Sequence, residues 1–257
     1  MPLQTPTRAQ GCAILLLMAL ATSVPGQVAT NRAFAARAEQ AFLQAQKQFA
    51  AQPGNVAIAW QLGRASFDWA AFATNETERA ALAQTGIDAC RHSLVRDPKS
   101  APAHYYLAMN FGQLADAEAP SIAAYKLVKE IEREFKTATE MDEKLDFAGP
   151  PRCLGLLYRD APGWPISIGS KRKAREFLDR AAALAPDYPE NQLNLAESHL
   201  RWHQLAEAEK ALKKLDALWP FARTNLVGEI WGQSWDDWTA RRAAAKAEFQ
   251  KNSKHAP

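Results

Sequence analysis

His199 and His203 stand four residues apart, the spacing at which two imidazoles on one helix face can reach a single metal ion. A zinc hydrolase also needs a carboxylate base beside the first histidine and a third ligand. Neither accompanies this pair, so no metal site is expected and the two read as helix-face histidines near a turn. The carboxylates gather as Glu130, Glu132 and Glu134 and again as Asp236 and Asp237. Such clusters on a helix face are ordinarily solvated partners of nearby Lys and Arg. No serine sits in a G-x-S-x-G elbow, and neither a phosphate loop nor a dinucleotide fingerprint occurs. The chain is therefore read as non-enzymatic, with no cofactor.

Cysteine chemistry depends on compartment. Arg8 precedes an apolar run from Cys12 to Ala21 that ends in small residues and the pair Pro25-Gly26, the pattern of a secretory signal peptide over residues 1–29. The run is about half of what a bilayer-spanning helix needs. Cleavage after Ala21, Gly26 or Ala29 would leave an exported chain, periplasmic or extracellular, that touches the membrane only through its leader. Cys12 opens the apolar run instead of following it, which argues against lipidation. Cys90 and Cys153 survive cleavage; an oxidising compartment would allow them to pair, and their apolar helical surroundings suit two buried thiols.

These residues sit on a helical frame. The chain has 257 residues, 51 of them Ala against 12 Gly, an excess of the best helix former over the strongest helix breaker after Pro. A net charge of +3 without any run of five Lys or Arg excludes nucleic acid as a partner. Periodicity is more specific. Ala174, Leu178, Ala181 and Pro186 recur 34 residues later as Ala208, Leu212, Leu215 and Pro220, and earlier as Gly86, Cys90, Ser93 and Pro98. Each set is one face of an amphipathic helix closed by a proline. Nine and ten positions after Pro53, Pro98 and Pro186 come Leu62-Gly63, Leu107-Ala108 and Leu195-Ala196, with Leu154-Gly155 as a fourth copy. The small residue lets a partner helix approach, and the leucine fills the seam. The predicted helices are 31–51, 55–72, 76–96, 101–114, 121–144, 150–159, 171–185, 189–202, 204–218, 222–231 and 235–252. Asn75 with Glu78 forms a capping box, and Ser170 caps the helix carrying Ala174.

The spacing resembles the tetratricopeptide repeat (TPR) family. The resemblance implies an all-α, TPR-like α-solenoid of about four helix-turn-helix repeats over residues 30–257, best formed at 86–113 and 171–220. Its inter-helix turns are expanded near Trp69–Ala73, Ala115–Pro120 and Asp160–Gly169, and 235–252 is a C-terminal capping helix. More specifically, a block over roughly 101–200 is similar to the T-component of TRAP (tripartite ATP-independent periplasmic) transporters. It comprises His104–Ala108, Leu127–Ala138, Gly149–Tyr158, Pro162-Gly163 and Lys173–Ala181. The block departs from that family at Gly169-Ser170 and in the missing lipidation cysteine.

In such repeats the first helix of each pair lines a concave groove. That geometry places Trp60, Arg64, Phe67, Tyr105, Met109, Arg152, Leu156, Arg159, Leu193, Glu197 and Leu200 along one binding face. Arginines interleaved with aromatics suit an acidic or C-terminal peptide, while the same residues also suit packing between repeats. The apolar loop around Trp164 either carries recognition or tucks beneath a neighbouring repeat. Two functions follow. One is a non-catalytic, exported scaffold or adaptor for a protein or peptide partner. The other, implied by the closer resemblance, is an accessory subunit of a solute uptake system that contacts an extracytoplasmic solute-binding protein and carries a small ligand. Homo-oligomerisation is left open.

Overall fold

A computed structural model describes residues 25–119 and 121–254. Arg8 and the apolar run Cys12–Ala21, on which the signal-peptide expectation rests, lie outside the described residues. Ten α-helices and one 3₁₀ turn make up the described secondary structure: α1 (Pro25–Ala51), α2 (Val56–Ala70), α3 (Glu76–Arg96), α4 (Ala101–Ala117), α5 (Ile122–Met141), α6 (Leu145–Asp160), α7 (Lys171–Leu184), α8 (Pro189–Arg201), α9 (Leu205–Asn225), the 3₁₀ turn Glu229–Trp231, and α10 (Gly232–Lys254). The chain divides into two compact units. One holds α1 to α5 and the loop 160–168; the other holds residues 143–159 and 169–254, hence α7 to α10 and nearly all of α6.

The repeat positions explain why these helices pair. In the first unit α2 packs on both α3 and α4, and α4 packs on α5. A Cβ added at Gly63 of α2 would land on Cys90 Sγ of α3, and one at Gly86 of α3 would land on the Asn110 amide of α4. In the second unit a Cβ at Gly155 of α6 would meet Leu178 Cγ of α7 at 2.6 Å. The periodic set Cys90, Ser93, Ala174, Leu178, Ala181, Ala208, Leu212 and Leu215 is buried throughout, as are Leu62, Leu107, Leu154 and Leu195. Close approach at a small residue beside a seam leucine is thus the rule in both units. The four pairs α2/α3, α4/α5, α6/α7 and α8/α9 are those the period predicts, with α1 and α10 flanking them in the chain.

Starts are set by caps. Asn55 accepts from the Ala57 and Ile58 N–H groups at 3.0 and 3.3 Å, and Ser121 from Ala124 at 3.0 Å. Asn75 accepts from Glu78 N–H at 2.9 Å, while the Glu78 carboxylate reaches past the cap to the N–H and hydroxyl of Thr74 at 2.7 and 2.8 Å. That bonding holds the exposed Glu78 carboxyl below its ordinary range.

One expectation about a break fails. Pro220 does not close α9, which continues to Asn225. Its ring removes one backbone bond, yet Ala222 is buried and the Arg223 guanidinium lies 4.0 Å from the Trp235 ring centroid on α10. Those contacts hold the last turn, and the chain turns only at Gly228 (φ 93). At the other break, Asp146, Phe147 and Ala148 are all left-handed, with φ of 52, 55 and 64. Pro150 and Pro151 follow within the first right-handed turn, where their missing N–H groups would have no helical acceptor.

Candidate partner-binding surface and buried polar seam

In the first unit Phe67, Tyr105 and Met109 are buried. Tyr105 packs against Tyr106 and Phe135, with ring centroids 5.0 and 5.9 Å apart. Trp60 is half-buried and stacks on Tyr106 at 5.9 Å, the planes 3° apart. Arg64, also partly exposed, faces Asp68 one turn on at 3.8 Å. Of the expected face in this unit, Trp60 and Arg64 therefore reach solvent, while the other three side chains join helices.

In the second unit Leu156, Leu193 and Leu200 are core residues. Arg159 is partly exposed and donates to Ser198 Oγ at 3.3 Å. Arg152 is buried: it donates to the Phe147 carbonyl at 3.0 Å and Asn191 Oδ1 at 3.3 Å, and lies 3.5 Å from the Asp146 carboxylate. Asn191 adds a bond to the same Phe147 carbonyl at 3.2 Å, and the Phe147 ring stacks on Tyr188 at 4.5 Å. Three consecutive left-handed residues cost about 1–2 kcal/mol each, and these contacts are what hold them. Arg152 is thus a keystone of the turn and has little surface to offer a peptide. Glu197 is partly exposed and paired with Arg241 at 2.8 Å.

The Trp164 loop is the most exposed apolar feature of the first unit. Trp164 is 89% and Ile166 71% exposed. The tip is closed by the Gly163 carbonyl, which accepts from Ile166 and Ser167 at 3.0 and 3.2 Å. It does not tuck away.

The remaining chemistry-bearing residues are tied into the fold or into local pairs. Cys90 and Cys153 are buried and form no disulfide, and burial pushes the Cys90 thiol upward. His203 lies beyond the end of α8 in a left-handed turn (φ 57), so it does not share a helix face with His199, whose Nδ1 meets Gln204 Oε1 at 3.1 Å. No group of three potential metal ligands occurs among the described residues. Glu130 and Glu132 pair with Arg133 and Lys136 at 2.5 and 2.6 Å. Glu134 instead faces inward, to His104 Nδ1 at 2.5 Å.

One feature escaped the sequence. Tyr188, Glu190, Asn191, Gln192 and Asn194 are all nearly or fully buried, although the sequence there reads as a polar helix start. Arg241 of α10 bonds Glu197 twice at 2.8 Å, Asn194 Oδ1 at 2.7 Å and Asp237 at 3.0 Å. The available signal was the density of Asn and Gln directly after Pro189, unusual for a face that must pack.

Comparison with known proteins gives the class. A family model described as regulator of microtubule dynamics protein 1-3 matches residues 28–148. No curated protein matches the chain. Among solved structures the fold is similar to TTC0263, a thermophilic TPR protein of Thermus thermophilus, with a TM-score of 0.61 at 18% identity over 86% of this chain and 96% of that one. It is also similar to MamA, with a TM-score of 0.51 at 17% identity over 79% of this chain and 99% of that one. The chain has an all-α, TPR-like fold.

Proposed function

We propose that this chain is a non-catalytic, exported scaffold that binds a protein partner through an exposed apolar tip carried on the helix pairs. The observation behind this reading is the Gly163–Ile166 tip, an uncharged segment with Trp164 almost fully in water. Solvated tryptophans on a closed turn are uncommon and suit burial by a partner. Trp60 and Arg64 offer a second, stacked and cationic contact in the same unit. The experiment is affinity capture from the periplasmic fraction with the mature chain, comparing wild type with Trp164→Ser and Trp60→Ala. A partner recovered by wild type and lost with Trp164→Ser supports the reading; equal recovery by all three chains overturns it. Export itself is tested by sequencing the N-terminus of the recovered chain, which should begin after Ala21, Gly26 or Ala29.

The similarity of residues 101–200 to the TRAP T-component supports a narrower reading, in which the partner is a solute-binding protein of an uptake system. Capture of a partner from any other class would remove it. A second copy of the chain as partner would appear in the same experiment as a self-association that Trp164→Ser abolishes.

A further inference from the structure

The facing sides of α8 and α10 carry polar atoms that nothing in the described protein satisfies. On α8, Glu190 and Asn194 are one turn apart; on α10, Ser234, Trp238 and Arg241 lie along one face. Arg241 ties the two faces together, reaching Asn194 and Glu197 of α8. Tyr188, which precedes α8, packs its ring 5.3 Å from that of Trp238. Both oxygens of Glu190, Asn194 Nδ2, Ser234 Oγ, Trp238 Nε1 and the Tyr188 hydroxyl are buried and have no hydrogen-bond partner among the described residues. Glu190 and Trp238 are fully inaccessible. An orphaned buried polar atom costs about 1–3 kcal/mol; six on one seam are far more than ordinary packing leaves.

The chemistry of the seam selects what would satisfy it. Arg241 faces three carboxylates, Glu190 at 3.7 Å, Glu197 at 2.8 Å and Asp237 at 3.0 Å. Its hydrogen bonds go to Glu197, Asp237 and Asn194, so Glu190 receives charge but no bond from it. Arg152 is matched by Asp146. Two guanidinium groups thus face four carboxylates, with Arg152 acting on Glu190 as well as on Asp146, and an ionised Glu190 would take its missing bonds from N–H or O–H donors. The Tyr188 ring is already covered, by the Phe147 ring stacked at 4.5 Å and by the Arg152 guanidinium 5.3 Å from its centroid, so the aromatic surface that can attract a cation is that of Trp231 and Trp238, whose centroids are 5.9 Å apart. Trp238 Nε1–H and Asn194 Nδ2 offer donors for an oxygen on the same molecule.

We propose that the α8/α10 seam is an enclosed binding site for a small primary amine that also bears an oxygen acceptor, its ammonium donating to Glu190 and its oxygen accepting from Trp238 and Asn194. This goes beyond the partner-binding reading and does not depend on it: capture by the Trp164 tip could fail while the amine site stands.

Ethanolamine is the probe. Calorimetric titration of the full chain should give saturable, one-site binding, with affinity reduced at least about tenfold in Glu190→Gln and a few-fold in Trp238→Phe, which removes the N–H but keeps the ring. Circular dichroism establishes that both variants are folded. Tetramethylammonium, a cation without N–H, and ethylene glycol, without charge, should bind much more weakly. In parallel, mass spectrometry of small molecules released by denaturing the purified chain should find an amine. The proposal is overturned if ethanolamine does not bind and no amine is released. It is equally overturned if tetramethylammonium binds as well as ethanolamine, or if folded Glu190→Gln binds as tightly as wild type.

Discussion

The two units solve the same packing problem with different chemistry. Around α2, α3 and α4 the seams are closed by small and uncharged groups, Gly63 on Cys90 and Gly86 on Asn110; the Asn110 amide donates to the Gly63 and Tyr106 carbonyls at 2.8 and 2.7 Å. Around α6, α8 and α10 the interior holds Arg152, Asp146 and Glu190, with the partly exposed Arg241 beside them, a left-handed turn and a set of unsatisfied atoms. Both units keep the repeat's small residue and leucine. A repeat scaffold tolerates a charged interior where its caps and flanking helices already fix the backbone, and such interiors are where function tends to be built.

Removing one buried partner in each unit should separate them most. Arg152→Ala strips the Asp146 carboxylate of its guanidinium and removes the donor that holds the Phe147 carbonyl. The expected loss is about 3–5 kcal/mol in urea unfolding. Asn110→Ala removes two neutral hydrogen bonds and should cost about 1–3 kcal/mol. Equal losses would mean that the charged interior contributes no more than the uncharged one, which would weaken the comparison at its root.

A methyl group at the close approaches comes next. Gly155→Ala would drive a Cβ against Leu178 Cγ at 2.6 Å and its backbone N at 3.0 Å. Gly63→Ala meets chiefly the Cys90 side chain, which can shift, with the Gly86 carbonyl at 3.3 Å. Both should destabilise by about 1–3 kcal/mol, Gly155→Ala the more because backbone cannot yield. Paired thermal melts of the two variants read the difference directly.

These seams were legible in the sequence because a small residue beside a leucine at a fixed distance from proline has few other uses. The helix starts were legible for the same kind of reason: Asn55, Asn75, Ser121 and Ser170 stand where orphan N–H groups need acceptors. What failed depended on contacts distant in the chain. Pro220 reads as a stop until Ala222 and Arg223 are seen against α10. Asp146, Phe147 and Ala148 have no glycine to announce a left-handed turn, and only Arg152, Asn191 and Tyr188 explain it. The expected binding face fared similarly, since Phe67, Tyr105, Leu156 and Leu193 carry the right types at the right spacing, but spacing alone does not separate groove from seam. For the Trp164 tip the sequence allows both recognition and packing, and the structure shows the side chain 89% exposed.

Titration offers a subtler contrast. His104 sits between two acceptors, Glu134 Oε2 at 2.5 Å and the Pro98 carbonyl at 3.0 Å, an arrangement that favours the imidazolium, in which both ring nitrogens donate. The Glu134 bond raises His104 above its ordinary 6.5, against the opposing effect of burial. Burial pushes Glu134 upward, but bonds from His104 and Arg133 outweigh it and hold it below 4.5. The His104 contribution is complete below pH 6.5 and lost as pH climbs through the raised value; that of Glu134 is present above 4.5 and lost as pH falls. Glu190 runs the other way from Glu134. Burial raises it, so its contribution is greatest below 4.5 and declines as pH rises through its folded value. Melting temperatures from about pH 5 to about pH 8 should fall less steeply in His104→Gln and in Glu190→Gln than in wild type. An unchanged slope in Glu190→Gln would show that the second unit's buried carboxylate is not protonated on folding.

The smallest expected difference concerns the caps. Asn75 in the first unit makes a short bond to Glu78 N–H at 2.9 Å, reinforced by the Glu78 carboxylate on Thr74. Ser170 in the second accepts from Lys173 N–H at 3.4 Å, close to the limit of a useful bond. Asn75→Ala should cost about 1 kcal/mol and Ser170→Ala about 0.5 kcal/mol, read as shifts in the urea midpoint at constant slope. If Ser170→Ala costs as much as Asn75→Ala, the start of α7 depends on extended backbone at Ser170 (φ −158) more than on its hydroxyl. Glycine at the same position then decides, because it abolishes the hydroxyl while leaving the backbone free to adopt that angle.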